Sequence, residues 1–172
     1  MISWTRALAQ GAWAGSLASA FSALALLAAG HRREREPLAP VNAISHWAWG
    51  DAALHEDKAD WRHTALGYAI HHGASLFWST LHAQAFSGPR RPRTAAHALR
   101  QAAATAAAAC FVDYRLTPHR FTPGFEHRLD RKQLAVVYGC FAAGLALGTL
   151  LSVQHEDSVK RGVTNSRRQH EP

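Results

Sequence analysis

Apolar and polar positions fall along this chain in blocks. Four stretches, 7–29, 64–86, 94–114 and 133–153, are dominated by Ala, Leu, Phe, Gly and Val, and charged segments separate them. Each approaches the length a helix needs to cross a hydrocarbon core at a rise of ~1.5 Å per residue. Stretch 64–86 is the most informative. It holds no Asp, Glu, Lys or Arg, yet carries His71, His72 and His82. Wound at about 100° per residue, Thr64, Tyr68, His71, Ser75, Ser79 and His82 line one side, with His72 at its shoulder. Leu66, Ala69, Ile70, Phe77 and Leu81 take the rest. Such a helix faces lipid broadly and hides its polar stripe against other helices. The pattern predicts an all-α integral membrane protein: an antiparallel four-helix transmembrane bundle over residues 1–153, then a polar, mobile tail over 154–172.

The outer stretches add a packing device. Gly11, Gly15, Ser19 and Ala23 recur every fourth residue, and so do Cys140, Gly144, Gly148 and Ser152. Ridges of small residues let helix backbones approach closely. The first and fourth helices are therefore expected to pack through Gly11, Gly15, Gly144 and Gly148, within one chain, in a homo-oligomer or against another membrane protein. The first stretch also has the shape of a secretory signal, with a positive head and small residues near 28–30. Its length and its ridge favour a retained helix. The third stretch is the weakest, because its uncharged part covers only 101–112 and Arg100 must snorkel to lengthen it. A surface amphipathic helix is the alternative there.

The connections have distinct characters. Segment 31–63 gathers Trp47, Trp49 and Trp61 among Asp and His residues, a composition suited to the membrane–water boundary. Asn42 is placed to cap a short helix that Gly50 ends. Segment 87–93 is a Pro- and Arg-rich turn. Segment 115–132 contains two Thr-Pro steps and a Pro-Gly turn, so it cannot be one helix.

Composition changes this picture only in part. Nineteen basic against twelve acidic residues give a net charge of +7, but the arginines sit between apolar stretches, where topology signals lie. The lipid bilayer is thus the expected partner, and nucleic acid is not. Mean hydropathy is only −0.18, because the apolar content is mostly alanine and the loops are rich in Arg and His. Cys110 and Cys140 lie inside apolar stretches and make no disulfide framework or zinc spacing. The basic residues of the two sides nearly balance. An acid-free middle loop tips the expectation to both termini cytoplasmic, in a multi-pass protein of the bacterial inner-membrane type.

Twelve histidines raise the question of haem or a metal ion. His71, His72, His82 and His97 are the candidate ligands, the last two approaching across the tight turn. Haem in a helical bundle needs histidines at matching depth on facing helices. Neither His-x3-His within a helix nor HExxH is present. The plainer role for these rings is hydrogen bonding to Ser75, Gln101 or Thr105. A second set lies in the loops expected on one common side: His46, Asp51, His55 and His63 with Asp113, His119, Glu126 and His127. Such groups can do acid–base work or bind metal, while solvated loop residues are the plainer account. No Ser-His-Asp order, Gly-rich phosphate loop or nucleophile elbow occurs. The chain is therefore expected to be a non-enzymatic structural or interaction protein, with a haem- or metal-binding redox protein as the alternative. A proton or ion path through His71 and Tyr68 ranks below binding, because Asp113 falls at a helix end and no span contains proline.

Overall fold

The computed structural model describes residues 2–169, which contain helices and turns and no strand. Helix α1 (Trp4–Glu34) is followed by two short helices, α2 (Ala39–Ile44) and α3 (His46–Trp49). Three long ones complete the body: α4 (Leu66–Phe86), α5 (Ala95–Phe111) and α6 (Arg131–Gln169). Polar residues set the helix starts. Ser3 accepts a hydrogen bond from the Arg6 amide at 3.4 Å, and Thr94 accepts one from the His97 amide at 3.2 Å. Helix α1 stops at Arg35, whose φ of 62° is left-handed.

Helix α1 is the shared wall of the bundle. On one face Gly11 lies against Thr80 and Gly15 against Leu76 of α4, where a Cβ on Gly15 would stand 3.0 Å from Leu76 Cα. On the adjoining face Ala14 and Ala18 receive α6. A Cβ on Gly148 would lie 2.5 Å from Ala14 Cα, and one on Gly144 would lie 2.6 Å from the Leu17 carbonyl. In both pairs residue numbers rise on one helix as they fall on the other, so α1 is antiparallel to α4 and to α6. The two glycine ridges do not meet each other. The α1 ridge seats α4, whereas the α6 ridge seats on alanines of α1. Helix α5 closes the body against α6, with Ala98, Ala102 and Ala106 packed near Phe141 and Leu145.

Among the described residues two helices are long and apolar enough to cross a membrane: 4–33, at a mean hydropathy of 1.6, and 131–159, at 2.0. The expectation of four such spans is met only by these two. Histidines, serines and a glutamine lower the hydropathy of α4, and α5 has 17 residues, about 25 Å of helix at the usual rise.

The polar tail expected from residue 154 is instead a continuation of α6, which runs to Gln169. Its partners are distant in sequence. Glu156 pairs with Arg6 at 2.6 Å and accepts from Gln10 Nε2 at 2.7 Å, and Asp157 pairs with Arg91 at 2.7 Å. The end of the expected tail, 170–172, lies outside the described residues.

At the other end the loops fold together over a second core of Leu26, Val41, Ile44, Phe125, Leu129 and Val137. Asn42 is not a helix cap. Pro40 starts α2 earlier, which buries Asn42 in its middle. There its Nδ2 donates to the carbonyls of Glu56 (3.1 Å) and Lys58 (2.9 Å), while its Oδ1 accepts from Thr64 Oγ1 (2.7 Å). Gly50 ends α3 with a φ of 70°. Segments 31–63 and 115–130 are tied by Trp47 Nε1 donating to the Thr122 carbonyl at 2.8 Å. Arg128 reinforces the tie, donating to the Leu54 carbonyl and to Asp57, each at 2.6 Å.

Candidate functional site

Between α4 and α5, at the loop end, lies a groove of about 580 Å³. Its walls are apolar, with Ile70, Phe77 and Trp78 on α4 and Ala109 and Val112 near the end of α5. Its floor is polar: Ser22, His71, Ser75 and Asp113. Both flanking helices pass into a π-helical turn at this end, over Trp61–Ala65 before α4 and Val112–Leu116 after α5. Such turns insert a residue into the helical ladder and re-aim side chains, often at functional sites. The second turn carries Asp113 onto the groove, where Tyr138 Oη donates to its Oδ2 at 2.6 Å.

The floor can be assigned donor by donor. Ser22 Oγ lies 2.8 Å from the Ala18 carbonyl and 2.9 Å from His71 Nε2. A hydroxyl has one proton. With that proton on the in-turn carbonyl, Ser22 accepts from His71 Nε2–H. The pair is then the reverse of a nucleophile and its general base, which needs the hydroxyl to donate to the ring. Ser75 donates to the His71 carbonyl at 2.9 Å rather than to an imidazole.

At the opposite end of α4 lies a smaller polar chamber of about 200 Å³, lined in part by Arg6, Gln10, Ser79, His82, Arg91 and Glu156. His82 Nδ1 is 2.8 Å from Thr105 Oγ1, and Thr105 donates to the Gln101 carbonyl at 3.2 Å. His82 therefore donates through Nδ1, which leaves Nε2 as an acceptor. That Nε2 and Ser79 Oγ are buried without a hydrogen-bond partner. His97 engages Gln101 at 3.1 Å, one turn from Thr105.

The candidate haem or metal ligands are thus distributed. His71 and His82 are eleven residues apart on one helix, about 16 Å by helical rise, and point to different cavities. His72 is half-buried and stacks on Tyr68 at 5.9 Å. Among the described residues no three His, Cys, Asp or Glu side chains gather closely enough to hold a metal ion.

The loop candidates share one end of the molecule but form no common centre. His46 is buried with Nδ1 2.9 Å from the Ala43 carbonyl. Asp51 and His55 are exposed. His63 contacts Asp60 and packs edge-on to Trp49. The Arg62 backbone N–H, then the His63 side chain, holds the Asp60 carboxyl below its ordinary range. His119 and His127 stand ring to ring at 5.8 Å, with Glu126 3.9 Å from His127. Asp113 belongs to the groove instead. Ser22 and Tyr138 escape a reading of motifs altogether. The available signal for Ser22 was its place three residues after Ser19 on α1.

No family model, curated protein or solved structure matches the chain.

Proposed function

We propose that the chain is a multi-pass integral membrane protein of the inner-membrane type, with four spans and both termini cytoplasmic. Its role is non-enzymatic, and the laterally open groove between α4 and α5 is its binding face toward the lipid phase. One observation carries this: polar side chains are buried between the helices while large apolar ones face outward. Ser19, Ser22, Ser75, Ser79, His82, Gln101 and Thr105 are buried, while Trp13, Leu24, Phe77 and Phe111 are 55 to 65 % exposed. A bundle built for water arranges these classes the other way round.

Of the residues that lower the hydropathy of α4, Ser75, Ser79 and His82 are buried and His71, His72 and Gln84 half-buried, so its outer surface stays apolar. Exposed tryptophans mark both ends, Trp4 at one and Trp49 and Trp61 at the other, as in an interfacial belt. Helix α5 is short, and exposed Arg93 just before it and Arg100 within it can reach the headgroups. The donor order at Ser22 and His71 supports a non-enzymatic role.

Extraction and labelling test this. The protein should stay with membranes through an alkaline carbonate wash. Single cysteines, in a background lacking Cys110 and Cys140, should react with an impermeant maleimide from opposite faces at Asp51 and Gly88, and not at all at Leu147. Release by carbonate, or labelling of Asp51 and Gly88 from the same face, would refute the four-span arrangement.

A further inference from the structure

The two cavities meet the same helix face at successive turns. Ser22, His71 and Ser75 form part of the groove floor, and Ser79 and His82 form part of the chamber wall. On α4 these are His71, Ser75, Ser79 and His82, spaced by four, four and three residues, and Ser19 and Ser22 are the buried hydroxyls of α1. The Nε2 of His71 meets the Ser22 hydroxyl at 2.9 Å, and Ser75 and Ser79 stand at the two helical turns between His71 and His82.

Three atoms of this seam are buried without a partner: Ser19 Oγ, Ser79 Oγ and His82 Nε2. His82 is 3 % exposed, Ser79 1 % and Ser19 fully buried. A buried hydroxyl or ring nitrogen left bare is costly, and water is the ordinary remedy where the site is polar and roomy enough. The chamber supplies that room. Ser75 and Ser79 are one turn apart, about 6 Å along the axis, a gap that one water closes with two hydrogen bonds of ~2.8 Å.

We propose that this seam is a hydrated proton path joining the chamber at the terminal end to the groove at the loop end. The chemistry is a relay. His71 takes a proton from groove water on Nδ1 and gives up the one on Nε2 to Ser22. Each hydroxyl or water then accepts one proton from behind and, turning from its in-turn carbonyl, gives one ahead, until His82 Nε2 receives it and hands it to chamber water. One proton is consumed on one side and one appears on the other. A pH gradient or membrane potential drives it, so no oxidant or reductant enters. The charged groups at the chamber come from each surrounding element: Arg6 from α1, Arg91 from the turn before α5, and Glu156 from α6, with Asp157 beside it. They mark the chamber as the water-facing mouth.

The inference rests on the membrane reading above, and vesicles separate the two. The whole protein is reconstituted into phosphatidylcholine–phosphatidylglycerol vesicles loaded with a pH-sensitive dye, and a potassium–valinomycin potential is applied. Wild type should acidify the lumen several-fold faster than empty vesicles. His82→Gln keeps a hydrogen bond to Thr105 but cannot carry the proton, and Ser79→Ala deletes a relay hydroxyl. Both should fall to the empty-vesicle rate, Ser79→Thr should retain flux, and the lipid-facing Leu24→Ile should match wild type. Circular dichroism and gel filtration check that each variant is folded, and the small Ser79 changes keep the test decisive if His82→Gln does not fold. Carbonate-resistant wild type that conducts no faster than empty vesicles overturns the proton path alone. Flux undiminished in both His82→Gln and Ser79→Ala overturns it too. Failure to stay in the vesicle membrane overturns both readings.

Discussion

Replacing Gly148 with alanine adds one methyl group at the tightest point between α1 and α6. That carbon would lie 2.5 Å from Ala14 Cα and 2.9 Å from Ala14 Cβ, against an optimal carbon–carbon separation of ~3.5–4.0 Å. Backbone cannot rotate aside as a side-chain tip can, so the helices must part by about 1 Å. A gap of that size forfeits up to about half of the dispersion well for each contact it opens, and the Gly144 contact one turn away opens with it. Overpacking of this kind costs about 1–3 kcal/mol. Gly139 on the same helix is the matched control, since a Cβ there meets nothing within 4 Å. Both substitutions gain the same helix propensity, about 1 kcal/mol, so it cancels between them. Unfolding in mixed micelles by dodecyl sulfate titration, followed by circular dichroism, should place Gly148→Ala below Gly139→Ala by about 1–3 kcal/mol. Equal stability of the two variants, within ~0.5 kcal/mol, would refute close α1–α6 contact at this point.

Two further outcomes concern the loop end. Asn42→Ala removes the side chain that holds Glu56, Lys58 and Thr64. It should cost about 1–3 kcal/mol for the partners left bare, read as faster limited proteolysis within 56–64 while the helical core stays resistant; an unchanged cleavage rate there contradicts the hub. Asp60 is depressed below its ordinary value of 3.8, so its contribution to the turn before α4 is complete above that value and is lost as pH falls through the lower folded value. Amide exchange at Arg62 should accelerate, relative to the intrinsic rate, on acidification from ~pH 5 to ~pH 2, and an Asp60→Asn protein should show no such pH step. Matching profiles for the two proteins would dismiss the carboxylate.

The helical class was readable because the stretches are long and nearly free of charge inside. The stripe on 64–86 was readable in part. Ser75, Ser79 and His82 are buried, but Tyr68, assigned to the same side, is 43 % exposed and stacks on His72. Helix neighbours were not readable. Gly11, Ala14, Gly15 and Ala18 make α1 thin on two faces, and nothing local says which face takes α4 and which takes α6. Asn42 had the right residue type for a cap, but Pro40 set the start of α2 first, and burial redirected the amide to a loop sixteen residues away. The course of α6 beyond 153 depends on Arg6 and Arg91, whose distance in sequence hides them from any local pattern. The groove is lined by residues of α1, α4, α5 and α6, so no single segment carries it.

Because α1 is the wall shared by α4 and α6, the order of synthesis matters. Chains emerge N-terminus first, so α1 leaves the ribosome with both of its thin faces bare. The glycine face waits for residues near 76–80 and the alanine face for residues near 144–148. In the membrane arrangement proposed above, such faces gain nothing from water exclusion and are satisfied only by another backbone at close range. Helix α1 precedes both of its partners in the chain, and until α6 arrives it is open to the wrong neighbour. The window for mispairing lasts while the hundred or so residues between α1 and its contact on α6 are made.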